Sequence, residues 1–328
     1  MLSRVAARIY WMARYLERSE NTARIVNVNV NLLLDLPRSV AVGWQPLIDI
    51  TGSGKLFHRL FRAPRQQNVV RFLIADQRNP GSLLSCLSQA RENARAVRDV
   101  IPREAWEAVN SLYMAAKSGL PGGLAHSRRH DFLNGMIARS QYITGLLAGT
   151  MLHDAGYDFL RMGRNLERAD MTSRIVDVRS DNLLPDQPEV LPPFELIQWM
   201  SVLRSLSAYQ SYQQTEQGPV MGGAVLRVLL QNARFPRSFA HCVGEVQQCL
   251  RDLPRSRDLV AEALALSEHV AEAPVETMNK RDLQRFIDRL QRKLGQLHNA
   301  ISETYFAPPT HKEKISRRAS PRAAVRVE

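Results

Sequence analysis

The chain has 328 residues, 45% hydrophobic and 23% charged, long enough for two or three domains and for burying about 75% of its unfolded surface, so core size sets no limit. Its 44 Lys+Arg against 32 Asp+Glu give a formal net charge of +12, carried by Arg rather than Lys, which points to an anionic partner. Three cysteines without even count or metal spacing, no apolar run near the ~18 residues of a membrane span, and Arg4, Arg8 and Arg14 breaking up the N-terminus exclude a secreted disulfide scaffold, a membrane protein and a signal peptide; a soluble, cytoplasmic protein with reduced thiols is expected.

The first predicted element runs from near the N-terminus to Leu34. It is free of Gly and Pro from Arg14 onward and stops before Pro37. At about 100° per residue, Tyr10, Trp11, Arg14, Glu17, Arg18, Asn21, Ile25 and Val28 share one sector, and Val5, Ile9, Met12, Leu16 and Ala23 the opposite one. A solvated face is normally rich in Lys, yet none occurs between Tyr10 and Leu34, and Arg suits shielded bidentate pairing. The spacing predicts local pairs from Arg14 to Glu17 and from Glu20 to Arg24.

Next, Leu36-Pro37-Arg38 turns the chain, and Val42 to Ile50 reads as a short helix begun near Pro46, with Trp44 and Leu47 inward. Thr51-Gly52-Ser53-Gly54-Lys55 resembles a phosphate loop but fails as one: Asp49 stands where the first glycine belongs, and Leu56 where Ser or Thr should hold the metal. A helix over Val69 to Ala75 breaks at Asn79-Pro80-Gly81, and Ser82 opens another from Leu83 to Val100 that carries Arg91, Arg95 and Arg98 on one face. Ile101-Pro102 restarts a helix through Trp106 and Leu112, Pro121-Gly122-Gly123 reads as a turn, and a helix from about Asp131 to Leu152 follows despite Gly135, Gly145 and Gly149. His126 and His130 have a spacing that a metal can use, but Ser-Arg-Arg between them speaks for an exposed basic helix start.

The second half rewrites the first. Met162 to Leu184 aligns with Met12 to Leu34 at an offset of 150 with 12 of 23 positions identical, among them Arg14/Arg164, Glu17/Glu167, Arg18/Arg168 and Arg24/Arg174, and with Glu20/Asp170 as a near match. At an offset of 156, Arg71, Leu73, Arg78, Pro80, Ser82 and Cys86 meet Arg227, Leu229, Arg234, Pro236, Ser238 and Cys242, which places Arg-x-Pro-x-Ser at a helix corner in both halves. Breaks fall at Leu191-Pro192-Pro193, Gly218-Pro219 and Gly222-Gly223. Arg281 to Phe306 is a last long helix with Phe286, Leu290, Leu294, Leu297 and Ile301 as its stripe.

Strand signals are nearly absent, with no sustained period-2 alternation, so the expected fold class is all-α: a helical bundle of two tandem, pseudo-symmetric repeats. Residues 1–150 form the first half and 151–306 the second, packed on it as one unit. Residues 307–328, with six Lys/Arg and two Glu, form a basic tail expected to be disordered.

No HExxH, CxxC, GxSxG or paired Glu-x-x-His pattern occurs, so no metal and no cofactor is expected. Glu17 and Glu167 are candidate catalytic carboxylates, although neighbouring Arg would hold both ionised. The body has few Lys, no stacking aromatics on a basic strand face and no helix-turn-helix pattern, which argues against nucleic acid.

Leu2-Ser3-Arg4, Tyr10-Trp11-Met12-Ala13-Arg14-Tyr15-Leu16-Glu17-Arg18-Ser19-Glu20-Asn21-Thr22-Ala23-Arg24, Asn79-Pro80-x-Ser82, Ala90-Arg91-Glu92-Asn93-Ala94-Arg95, Leu166-Glu167-Arg168-Ala169-Asp170 and Ser302-Glu303-Thr304-Tyr305-Phe306 occur in order. In these motifs the chain resembles the alpha-E proteins, bacterial helical proteins with a Glu-Arg signature, over residues 1–306. The resemblance implies a role beside a circularly permuted ATP-grasp protein, and near a transglutaminase-like protease, in peptide or amide ligation. It carries the signature onto Glu17, Arg18, Glu167 and Arg168. The second copy departs from the first in lacking its aromatics, with Leu160, Arg161 and Asn165 in place of Tyr10, Trp11 and Tyr15.

The expected role is an accessory or substrate-presenting component. Its ligand seam would be Arg14, Glu17, Arg18, Asn21, Arg24, Arg164, Glu167, Arg168, Asp170 and Arg174, with Arg91 and Arg95 behind, holding an acidic peptide or a phosphate-bearing or zwitterionic ligand. Two alternatives stand beside it: a stand-alone transferase using Glu17 or Glu167 as general base, and a structural scaffold in which the seam is internal glue.

Overall fold

Two long helices carry the duplicated stretch. In the computed structural model, which describes residues 2–35, 43–183 and 195–307, α1 spans Ser3–Asp35 and α8 spans Ala155–Leu183. At 1.5 Å per residue the first is about 50 Å long. Both sectors of α1 are inside: Ile9 and Met12 are fully buried, and so are Tyr10, Glu17 and Asn21. α1 is therefore a central helix, its polar sector covered by protein rather than by water.

Between them lie α2 (Gln45–Ile50), α3 (Gly54–Leu60), α4 (Gln66–Ile74), α5 (Leu83–Ala96), α6 (Arg103–Leu124) and α7 (Arg129–Thr150). After α8 come α9 (Glu195–Ser205), α10 (Tyr209–Glu216), α11 (Gly222–Gln231), α12 (Phe239–Arg251), α13 (Arg257–Ala271) and α14 (Lys280–Tyr305). Every regular element among the described residues is helical, and none of these helices is long and apolar enough to cross a membrane.

α1 packs against α5, α7, α8 and α9, while α8 packs against α12, α14 and α2. The short helix that follows α1 thus lies on α8, and the one that follows α8 lies on α1. One hydrophobic cluster runs through the bundle, from Ile9 and Met12 of α1 to Leu297 and Ile301 of α14.

The two Arg-x-Pro-x-Ser stretches are helix corners of the same build. Ser82 caps α5 by accepting from the Ser85 amide, and Ser238 caps α12 by accepting from the His241 amide. The buried thiols of Cys86 and Cys242 each donate to the proline carbonyl of their corner, Pro80 or Pro236.

Several expectations change. Pro121-Gly122-Gly123 is no turn: α6 runs through it to Leu124. The proline sits in the last turn, where its missing N–H gives up one i→i−4 helix bond, and Gly119 and Gly123 let the Phe132 ring of α7 lie against the helix. α5 stops at Ala96 rather than Val100. His126 lies in a 3-10 turn ahead of α7, while His130 is within α7 and bonds Asn27 and Asn134, so the two do not share a helix face. The turn at Pro37, the breaks at Pro185 and Pro192-Pro193, and the basic tail from residue 308 lie outside the described residues.

Candidate functional site

Where α1 crosses α8, each copy's glutamate meets the other copy's arginine. Arg18 donates through Nε to Glu167 Oε1 at 2.5 Å and through Nη2 to Oε2 at 2.8 Å, and Arg14 Nε donates to Oε2 at 2.8 Å. Reciprocally, Arg168 Nε stands 2.9 Å from Glu17 Oε2, at ion-pair distance but off the hydrogen-bond direction. The predicted local pair from Arg14 to Glu17 is not made, because the facing helix offers Arg14 a better-aimed carboxylate. Glu20 to Arg24 forms as expected, at 2.7 Å, and Asp170 to Arg174 repeats it at 2.9 Å.

A residue that the sequence reading missed completes this cluster. Arg237, buried at the corner before α12, donates to Glu17 Oε1 at 2.7 Å, Asn21 Oδ1 at 2.9 Å and Glu20 Oε1 at 2.6 Å. With Arg237 and Arg168 holding Glu17, the buried Nε of Arg164 has no hydrogen-bond partner among the described residues. The signal was present: at the offset of 156, Arg237 falls on Gly81, between matched Pro and Ser positions.

Burial works against both glutamate charges, but the surrounding guanidiniums outweigh it. Arg14 and Arg18 hold the Glu167 carboxyl down to about 2, and Arg168, Arg237 and Arg164 hold Glu17 below the ordinary range. For Arg14 and Arg18, burial is again outweighed, here by Glu167, and both charges are held more firmly than usual.

First-copy aromatics cover one end. The rings of Trp11 and Tyr15 lie 5.4 Å and 5.9 Å from the Arg14 and Arg18 guanidiniums. The Tyr10 hydroxyl accepts from Arg14 and lies 2.6 Å from His298 Nδ1. Burial, then the Arg14 charge, pushes the His298 imidazole down to about 4, so it is neutral, with one ring nitrogen a donor and the other an acceptor. In the second copy Arg161 instead pairs with Glu245, and Asn165 bonds the Arg161 carbonyl.

These shifts fix an acid response. His298 and Glu167 both have folded-state pKa values below their unfolded ones, so each contributes stability above its unfolded value that is lost as pH falls through its folded value. The melting temperature should decline first between pH 6.5 and about 4, as His298 must charge, and again between pH 4.5 and about 2, as Glu167 protonates. Calorimetry over a pH series checks both steps; the His298→Gln protein should lose the first and keep the second.

At the Arg18 end the seam opens into a cavity of about 430 Å³. Its wall combines Arg18 and Thr22 of α1, Asp170, Met171 and Arg174 of α8, the Ile50–Ser53 connection, Lys55, Leu56 and Arg59 of α3, and the Asn79-Pro80-Gly81 corner. Gly52 has φ +64°, a left-handed conformation that glycine adopts without strain, and the Arg174 guanidinium lies over it. Asn79 holds the corner by donating to the Phe72 carbonyl and accepting from the Gly81 amide. Lys55 and Arg59 are exposed and pair with no carboxylate among the described residues. The glycine-rich loop set aside as a nucleotide motif thus borders the seam after all, but without the geometry of a phosphate loop.

Of the residues predicted for the seam, Arg14, Glu17, Arg18, Asn21, Arg24, Glu167 and Arg168 sit in the buried ion-pair cluster, and Arg164 lies beside it. Asp170 and Arg174 lie on the cavity wall. Arg91 and Arg95 are not brought there: Arg91 bonds Asn110 and stacks on Tyr113 of α6, and Arg95 pairs with Glu92.

Comparison with known proteins adds the following. A family model described as a predicted alpha-helical domain with a conserved ER motif matches residues 1–306. An uncharacterised protein of Mycobacterium bovis is 26% identical over 275 residues, 77% of this chain and 30% of that protein. Two uncharacterised proteins of Mycobacterium tuberculosis strains match over the same shares at 26% and 25% identity. The chain thus spans 30% of the length of the curated relatives it matches. No solved structure matches it.

Proposed function

The chain belongs to the Alpha-E family, and from that premise we propose that it is a substrate-presenting component of an ATP-grasp-linked peptide or amide ligation system, holding an anionic ligand at the Arg18 end of its Glu-Arg seam. The observation that carries this reading is the cavity, where Lys55 and Arg59, which pair with no carboxylate among the described residues, stand beside the partly exposed Arg18 and Arg174. The mycobacterial relatives extend far beyond the matched region, which leaves room on those chains for a second module.

We read the bundle as two repeats, each with seven helices among the described residues, about a pseudo-dyad through the α1/α8 crossing. Supporting this are the reciprocal Arg18–Glu167 and Arg168–Glu17 pairs, the exchange of α2 and α9 between the long helices, and the twin capped corners.

The two rival roles fit less well. A general base needs a pKa near its working pH, whereas both glutamates are buried, clasped by guanidiniums and held ionised well below it. A pure scaffold accounts for the buried pairs but leaves the charged cavity without purpose.

The chain recovered with a tag from its native host should retain an ATP-grasp protein, and ATP turnover should belong to that partner. The Lys55→Glu, Arg59→Glu protein, altered only at exposed positions, should melt like wild type and keep the partner while product formation by the pair falls at least tenfold. Failure to retain any ATP-grasp protein, or ligation by the isolated chain, overturns the proposal.

A further inference from the structure

We propose that the cavity binds the dianionic phosphate group of a small phosphate monoester, and that the site occurs once per chain because Gly81 leaves open in the first half the space that Arg237 fills in the second. This rests on the anion-holding role proposed above and narrows it to one chemical class.

The charge balance carries the first part. Four cations line the wall, Arg18, Lys55, Arg59 and Arg174, against one carboxylate, Asp170. Asp170 is already engaged by Arg174, and Glu167 behind the wall accepts three bonds from Arg14 and Arg18. No ligand cation is therefore called for. Lys55 and Arg59 lie one turn apart on α3, so their heads reach the same side, and guanidinium forks match the several oxygens and double charge of a phosphate ester better than a single carboxylate. A volume of about 430 Å³ leaves space beyond the phosphate for the rest of a small molecule, against Ile50, Leu56 and Met171.

The internal comparison carries the second. Glu17, Glu20 and Asn21 are the counterparts, at an offset of 150, of Glu167, Asp170 and Met171, and between them sits the Arg237 guanidinium. α10, which follows α9 as α3 follows α2, has no Lys or Arg. The second half thus fills the equivalent space with its own cation, and α10 brings no Lys or Arg to it. The first half has glycine at that corner, meets its carboxylates with Arg14, Arg18 and Arg174, and adds two further cations around an open space.

Isothermal titration of phosphoserine, inorganic phosphate and glutamate tests this on three proteins: wild type, Lys55→Ala with Arg59→Ala, and Gly81→Arg. Wild type should bind phosphoserine and inorganic phosphate, with glutamate at least tenfold weaker. Losing two charge-assisted contacts, each worth about tenfold, should weaken phosphoserine about 100-fold in the double variant. Gly81→Arg, which supplies the plug that Arg237 provides opposite, should abolish binding. An added Cβ at position 81 meets only Asn79 Oδ1, at 3.3 Å, so the fold should be kept; should it not be, the double variant alone decides. Unchanged phosphoserine affinity in the double variant, or no binding of either phosphate probe to wild type, overturns the site. Glutamate binding as tightly as phosphoserine removes the phosphate assignment while leaving an anion-holding role intact, and retention of the ATP-grasp partner is read independently of all three ligands.

Discussion

Glu167→Ala should lower the unfolding free energy by about 3–5 kcal/mol, the cost of breaking a buried ion pair and leaving its partners charged. The Glu167 side chain is 2% exposed, and its two oxygens accept from Arg14 Nε and from Arg18 Nε and Nη2. Of the two guanidiniums released, Arg18 borders the cavity and is able to turn toward water. Arg14 is not: it lies under Tyr10 and Trp11 and retains only its long bond to the Tyr10 hydroxyl. Most of the loss therefore comes from Arg14. Glu17→Ala should cost a similar amount: Arg237 keeps Glu20 and Asn21 as partners, but Arg168 loses its ion pair and the buried Arg164 loses the carboxylate beside it. Urea unfolding of both variants at pH 7 gives the two losses directly, provided the slope of free energy against urea is unchanged. A Glu167→Ala protein within about 1 kcal/mol of wild type would show that the seam contributes little to holding the halves together.

That cluster was partly legible in the sequence. Twelve identities at a constant offset disclosed the two long helices and most of the seam, since a repeated Arg/Glu pattern without Lys marks shielded charge. Partner choice was not legible: Glu17 is three residues from Arg14 and Glu167 is 153 away, and spacing rules see only the first. Arg237 was hidden because its counterpart is a glycine, so a comparison of the halves by identity passed over the one position where their difference fills a space. The cavity was beyond reach for another reason. Its wall comes from α1, the α2–α3 region, the Asn79-Pro80-Gly81 corner and α8, four segments that only the fold brings together. Pro121 misled because proline and glycine usually punctuate a helix, whereas here the glycines admit the Phe132 ring and the helix runs through to Leu124.

Gly163→Ala should destabilise the protein by about 2–3 kcal/mol, against the sign that helix propensity alone would give. Within an exposed helix this exchange stabilises by about 1 kcal/mol, because alanine loses less backbone freedom on folding. At Gly163, however, an added Cβ would fall 2.3 Å from the Tyr10 carbonyl oxygen and 3.3 Å from Ala13 Cβ. The first of these is backbone of α1, so no side chain can swing aside; α1 and α8 must part. Overpacking of this kind typically costs 1–3 kcal/mol and occasionally more. It also acts one turn from Glu167, where separating the helices lengthens the bonds from Arg14 and Arg18. Since both substitutions damage the same contacts, Gly163→Ala and Glu167→Ala should not add: the double variant should lose at least 1 kcal/mol less than the sum of the single losses. Full additivity in urea unfolding would mean that the close approach at Gly163 and the ion pairs at Glu167 are held by separate parts of the bundle. A Gly163→Ala protein as stable as wild type would mean that α1 and α8 are not in backbone contact, and the short reciprocal ion pairs between them would then have no geometric cause.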